Sequence, residues 1–190
     1  MRNMIKRLRE NESGFGLIEL LMAMTVLNIG ILALVTAFSS GSIALNRASK
    51  ISTAAALADK QMEVYRALRY DSIALDYATT NALVTTDNNY SCDKAIRVVT
   101  TNACGSANRK TVYTTNTLCT GSPLPDQCQA SRTVTGPDNR SYRIDSYVVQ
   151  ETLNGTSRDV KVVTIVVRDS ANLAGSLIRA QSTFDLSTGS

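Results

Sequence analysis

The stretch that decides the fold runs from Gly14 to Phe38, GFGLIELLMAMTVLNIGILALVTAF. Within its last nineteen residues, Leu20 to Phe38, only Thr25, Asn28, Gly30 and Thr36 are not hydrophobic. As a helix rising 1.5 Å per residue, those residues span about 28 Å, close to the roughly 30 Å hydrocarbon core of a bilayer. No later run is comparable. One membrane-crossing helix is expected, with the bulk of the chain on its far side. Ahead of the run, Arg2, Lys6, Arg7 and Arg9 outweigh Glu10 and Glu12, giving residues 1–14 a net +2. The positive-inside tendency puts such a head in the cytoplasm.

Composition narrows the function further. The chain has 190 residues, 44% hydrophobic and 19% charged, so neither a disordered polymer nor a multi-pass membrane protein fits. Histidine is absent, which removes His-based metal sites, Ser-His and Cys-His nucleophile pairs and the usual proton shuttle near neutral pH. No Gly-rich phosphate loop, nucleophile elbow or metal signature occurs. The chain therefore reads as a non-enzyme without a cofactor. The overall charge of +4 leaves only +2 for everything after residue 14, so it does not by itself argue for nucleic acid.

Three explanations compete for the N-terminus. A secretory signal peptide would use Val35-Thr36-Ala37 as its cleavage site, and a plain anchor needs only the apolar run. Neither has a use for Glu19, since a carboxylate held at bilayer mid-depth costs up to about 2.5–3.5 kcal/mol. The third explanation starts from that residue. The stretch Gly14-Phe15-Gly16-Leu17-Ile18-Glu19, after a short basic leader and before the apolar run, resembles the signature of the type IV prepilin family. The resemblance implies cleavage between Gly14 and Phe15 by a prepilin peptidase, N-methylation of Phe15, and assembly with major and minor pilin subunits through the hydrophobic helix. It also implies that Glu19 pairs with the new Phe15 ammonium of a neighbouring subunit, neutralising two charges that apolar packing would otherwise bury alone. The bland alternative is that Glu19 only favours the positive end of its helix, worth about 0.3–1 kcal/mol. Two positions depart from the usual pattern. Gly16 stands where many members have Thr or Ser, and Thr36 stands where many major pilins have a helix-kinking Pro. The second departure suits a minor pilin or a pseudopilin.

From Leu45 to about Arg69 the chain continues to read as helix, with Ile51, Ala55, Ala58, Met62 and Tyr65 forming one apolar stripe. Ser39-Ser40-Gly41-Ser42 is its softest point. Ile29-Gly30-Ile31-Leu32-Ala33-Leu34, Leu57-Ala58-Asp59-Lys60-Gln61-Met62-Glu63 and Arg69-Tyr70-Asp71-Ser72-Ile73 are similar to PilV-type minor pilins and some pseudopilins.

Residues 76–140 read as loops with short strands, Ala95–Thr100 and Thr111–Tyr113 among them. This region holds all four cysteines, Cys92, Cys104, Cys119 and Cys128. Beyond the membrane the environment is oxidising, so two disulfides are expected. Three pairings are open. Cys92–Cys104 with Cys119–Cys128 closes the shortest loops. Further on, Ser141–Thr152 and Asp159–Asp169 read as a hairpin joined through Asn154-Gly155, and Leu177–Phe184 as a third strand. Asp159–Asp169 is apolar on both faces and is expected at the sheet centre. The fold class is therefore α+β: a long N-terminal helix, transmembrane in one half and amphipathic in the other, packed on an antiparallel sheet. The resemblance implies the same pilin-like design. The expected parts are a cleaved leader (1–14), an apolar assembly helix (15–40), an amphipathic spine (41–75) and a disulfide-braced head outside the cytoplasm (76–190).

Residues 92–143 carry a net +4 from Lys94, Arg97, Arg109, Lys110, Arg132, Arg140 and Arg143 against Asp93, Asp126 and Asp138. A basic head of this kind suits DNA, yet only Tyr113 and Tyr142 are available for stacking, and scattered solubility charge is the simpler account. The reading that follows is a minor type IV pilin that helps initiate or modify filament assembly, held in the inner membrane before it joins the pilus. A pseudopilin of a type II secretion or DNA-uptake system, and an anchored or secreted binding protein, are the alternatives.

Overall fold

The computed structural model describes residues 16–93, 95, 110–111, 113–114, 119–152 and 159–186. They divide into two compact units, residues 1–47 and residues 48–190.

The described part of the first unit is helix. Helix α1 spans Leu17–Arg66, and its first turn is closed by Gly16, whose carbonyl accepts from the Glu19 and Leu20 amides. It runs without interruption through Ser39-Ser40-Gly41-Ser42. The apolar half is long and apolar enough to cross a membrane, and its large side chains are exposed, from Leu17 to Leu45.

The second unit is built around one five-stranded antiparallel sheet. The strands are β2 (Lys110–Thr111), β4 (Ser131–Thr135), β5 (Ser141–Thr152), β6 (Asp159–Asp169) and β7 (Asn172–Asp185), while β1 (Leu75–Asp76) and β3 (Tyr113–Thr114) form a small parallel pair apart from it. The order is β2-β5-β6-β7, with β4 sharing the outer edge of β5. The long pairs β5–β6 and β6–β7 carry the sheet, in registers such as Ser146↔Ile165 and Ile165↔Ala180. The two sequence-expected hairpin strands, and β6 between two neighbours, are observed. The Asn154-Gly155 turn lies outside the described residues.

Both faces of the sheet are covered, which explains why every residue from Tyr142 to Val149 and from Val160 to Arg168 is buried. One face carries Tyr142, Ile144, Val148, Val163, Ile165 and Val167, packed with Ala54, Ala58, Met62 and Tyr65 of α1. The expected helix stripe is thus rotated slightly. Ala54 and Gln61 are buried, whereas Ile51 is exposed, because the contacting arc follows the sheet rather than the most hydrophobic residues. The other face meets two helices that composition does not announce, α2 (Tyr77–Thr86) and α3 (Asn88–Ser91). Their polar Thr and Asn residues read as loop, but aspartate caps fix both starts: Asp76 accepts from the Thr79 amide, and Asp87 from those of Asn89 and Tyr90. Tyr90 of α3 then stacks on Tyr147 of β5, with ring centroids 4.5 Å apart. Strand β4 lies within the stretch that reads mainly as loop, and β7 begins five residues before the expected Leu177. The Ala95–Thr100 strand expectation falls, beyond Ala95, outside the described residues. The observed architecture is the expected α+β one.

Candidate functional site

Of the N-terminal signature, Gly14 and Phe15 lie outside the described residues, and Gly16 to Glu19 are within them. Glu19 sits in the first turn of α1 and is exposed. Beyond it, Thr25 and Thr36 donate to the carbonyls of Met22 and Ala33, one turn back, at 2.8 Å each. These local bonds let a hydroxyl sit in an apolar helix without a water partner. The segment therefore offers a nearly continuous apolar surface with one carboxylate at its start. Chemically it can insert into hydrocarbon and pack against like helices.

The head braces the C-terminal part of α1 through backbone acceptors of one loop. Cys119 and Cys128 are joined, closing that loop with their Cα atoms 5.6 Å apart. Within it, the Asp126 carbonyl accepts from Gln61 Nε2 at 3.2 Å, and the Gln127 carbonyl accepts from Tyr65 Oη at 3.0 Å. Arg132 donates to Gln61 Oε1 at 2.7 Å and pairs with Asp126 at 3.0 Å. Gln61 and Tyr65 are fully buried, so these bonds are not in competition with water, and burial pushes the Tyr65 phenol up to about 12. Cys92 is also disulfide-bonded. Cys104, and with it the expected Cys92–Cys104 pairing, lies outside the described residues.

On the opposite sheet face, acids and arginines alternate along a chain: Asp87, Arg143, Asp145, Arg168, Asp93, Arg179. Asp145 is the centre. Its Oδ1 receives Arg143 Nε at 2.7 Å and its Oδ2 receives Arg168 Nε at 3.0 Å. Arg168 also donates to the Leu173 and Asn89 carbonyls, each at 3.1 Å. Burial alone would raise the Asp87 carboxyl, but the Arg143 hydrogen bond and charge outweigh it and hold it below the usual range. Asp93 is lowered in the same way against burial, by the hydrogen bond and charge of Arg179 with help from the Ala95 amide and Arg168. Desolvation pulls the Arg143 and Arg168 guanidiniums down; the carboxylates and, for Arg168, Tyr147 more than restore them. The chain ties α3 to three strands.

This arrangement bears on the basic region. Arg143 and Arg132 serve internal ion pairs rather than a cationic surface, and Arg140 also has an intramolecular partner. Lys94, Arg97 and Arg109 lie outside the described residues. Composition missed the alternating chain, although Arg143, Asp145 and Arg168 standing inside otherwise apolar strands was a signal of it.

Residues 9–35 match the family described as the prokaryotic N-terminal methylation motif. The match covers the end of the basic leader, the Gly14-Phe15 junction, Glu19 and most of the apolar run. It supports a type IV prepilin-like protein, pilins and pseudopilins together, and it fits membrane anchoring through α1. No curated protein and no solved structure matches the chain.

Proposed function

We propose that this chain is a minor type IV pilin, an accessory subunit that is trimmed between Gly14 and Phe15, methylated on Phe15 and built into a filament through α1. One observation carries the reading: the methylation-motif match over residues 9–35 ends inside a bare apolar helix with a carboxylate at the fifth residue of the trimmed chain. After trimming, the Phe15 ammonium and Glu19 sit about one helical turn apart, so a neighbouring subunit can exchange charges with this one. The partners are a prepilin peptidase, the inner membrane before assembly, and major and minor pilins afterwards. Thr36, in place of a kinking proline, supports an accessory role over that of the main filament subunit. The same feature supports a pseudopilin as the second reading.

Mass spectrometry of the exported protein tests the proposal. A chain beginning at methyl-Phe15 is expected, together with its recovery as a low-abundance component of purified pili. Retention of residues 1–14, or a cut after Ala37, would overturn the reading. Recovery of the methylated chain only with a secretion apparatus would select the pseudopilin.

A further inference from the structure

The sheet treats its two edges differently. On the β5 side, the two residues of β2 and the five of β4 cover the edge. On the other side β7 pairs with β6 and has no strand beyond it among the described residues. Past the register shifts at Arg168, that pairing is regular over eight residues of β7, from Val167↔Ile178 to Val160↔Asp185. Proline, lysine and bulges, which keep native edges from pairing, are absent from this run. Its one cation, Arg179, is held by Asp93 through Nη1 and Nη2 at 2.7 and 3.0 Å. Along such an edge every second residue turns its N–H and C=O away from the sheet.

The core is also unfinished there. By register, Ile178, Ala180, Ser182 and Phe184 share the helix-covered face with Val163, Ile165 and Val167. The three β6 residues are 0% exposed, whereas Ile178, Ala180 and Phe184, one strand further out, are only partly buried. Between them Arg179, Gln181 and Thr183 are exposed on the other face. A strand added here would bond to the outward backbone groups, and apolar residues at its alternate positions would complete the row.

A second β7 does not fit that place. Antiparallel self-pairing that keeps both helix-covered faces on one side reverses one Ala54–Tyr65 spine against the other, and copies anchored in one membrane through α1 run parallel. Self-pairing that keeps the spines parallel turns one sheet over and sets its apolar row against the exposed polar one.

We propose that β7 takes up an extended strand of a different protein, apolar at alternate positions, which pairs along Ile178–Asp185 and closes the sheet. The inference rests on the reading that places the head outside the cytoplasm, so the donor is another extracytoplasmic protein.

The test uses the full chain in its native host, with a photo-cross-linking residue at Gln181 or Thr183 and, for comparison, at Thr133 of β4. Adducts should form several-fold more at the β7 positions, and mass spectrometry should map them to one alternating apolar segment of another protein. In parallel, a strand alternating valine and threonine is appended after Ser190 through a flexible linker. It should slow amide hydrogen exchange within Ile178–Asp185 at least about ten-fold and abolish the β7 adducts, whereas the same residues in shuffled order should do neither. Equal adducts at Thr133, adducts within this chain or to a second copy, or unchanged exchange with the appended strand overturn the inference. The N-terminus is read in the same samples: a chain retaining residues 1–14 removes the underlying reading, while a trimmed, exported chain without β7 adducts removes only the strand addition.

Discussion

Arg168 of β6 reaches across to Asp145 of β5 and donates through Nε to its Oδ2 at 3.0 Å, with side chains 5% and 0% exposed. Taking both charges out of water is expensive, and the pair persists because each ion has further partners: Arg143 for the acid, Asp93 and two carbonyls for the base. Removing one member strands the others. Asp145→Ala should therefore cost about 3–5 kcal/mol in urea unfolding of the detergent-solubilised chain. The double variant Asp145→Leu with Arg168→Met should cost clearly less than the sum of the two single changes, because each single change already forfeits the Asp145–Arg168 bond, which the double variant loses only once. Additive costs would show that the two residues act independently.

Acid should loosen this chain of charges, and the sign follows from the carboxylates. Asp87 and Asp93 both lie below the ordinary aspartate value of 3.8 in the folded protein. Their stabilisation is complete above that value, begins to fall as the unfolded chain takes up protons near it, and is gone once pH drops through the folded values. The midpoint temperature should be flat on this account from neutral pH down to about 5 and decline below about 4. Asp93→Asn should shrink that decline. A protein that gains stability on acidification below about 4 contradicts the account.

The loop closed by Cys119 and Cys128 holds α1 through the Asp126 and Gln127 carbonyls. Replacing both cysteines by serine should destabilise the head by about 2–4 kcal/mol. Faster amide hydrogen exchange should appear selectively around Gln61 and Tyr65. A uniform change across the head, or none, would show that the loop does not clamp the helix.

Gly136 opens the turn between β4 and β5, where its amide donates to the Arg140 carbonyl at 2.8 Å. A Cβ there would lie 2.7 Å from Asp138 Oδ1 and 2.8 Å from both Thr53 Cγ2 and Tyr142 Cε2. Gly136→Ala should cost about 1–3 kcal/mol as Thr53 of α1 is pushed off the sheet. Gly175→Ala meets nothing within 4 Å and should leave the midpoint within a degree or two. Equal effects at the two glycines would refute the steric argument.

Under the proposed function, Glu19→Ala should leave trimming at Gly14-Phe15 intact, because the peptidase acts at the junction before the helix packs. It should exclude the subunit from filaments, since stranding a buried ammonium costs about 3–5 kcal/mol. Immunoblots of membranes and sheared pili measure both steps. Normal incorporation of the variant would reduce Glu19 to a helix-end charge.

Much of this architecture was legible in the residues. The apolar run, the carboxylate at its start and the β-branched stretches Ser141–Thr152 and Asp159–Asp169 signal their structures locally, because helix length, strand alternation and turn chemistry depend on near neighbours. The rest depends on distant partners. Helices α2 and α3 form from residues that read as loop because Asp76 and Asp87 cap them and Tyr147 receives Tyr90. The charges of Arg143 and Arg168 look like solvated cations in a count, yet folding brings carboxylates from positions 87, 93 and 145 to them. Periodicity reports which face a side chain takes, and it already sets Arg143 beside Asp145 two residues along the same strand, whereas only the folded chain supplies the Asp87 and Asp93 carboxylates, dozens of residues away, that make burying Arg143 and Arg168 affordable.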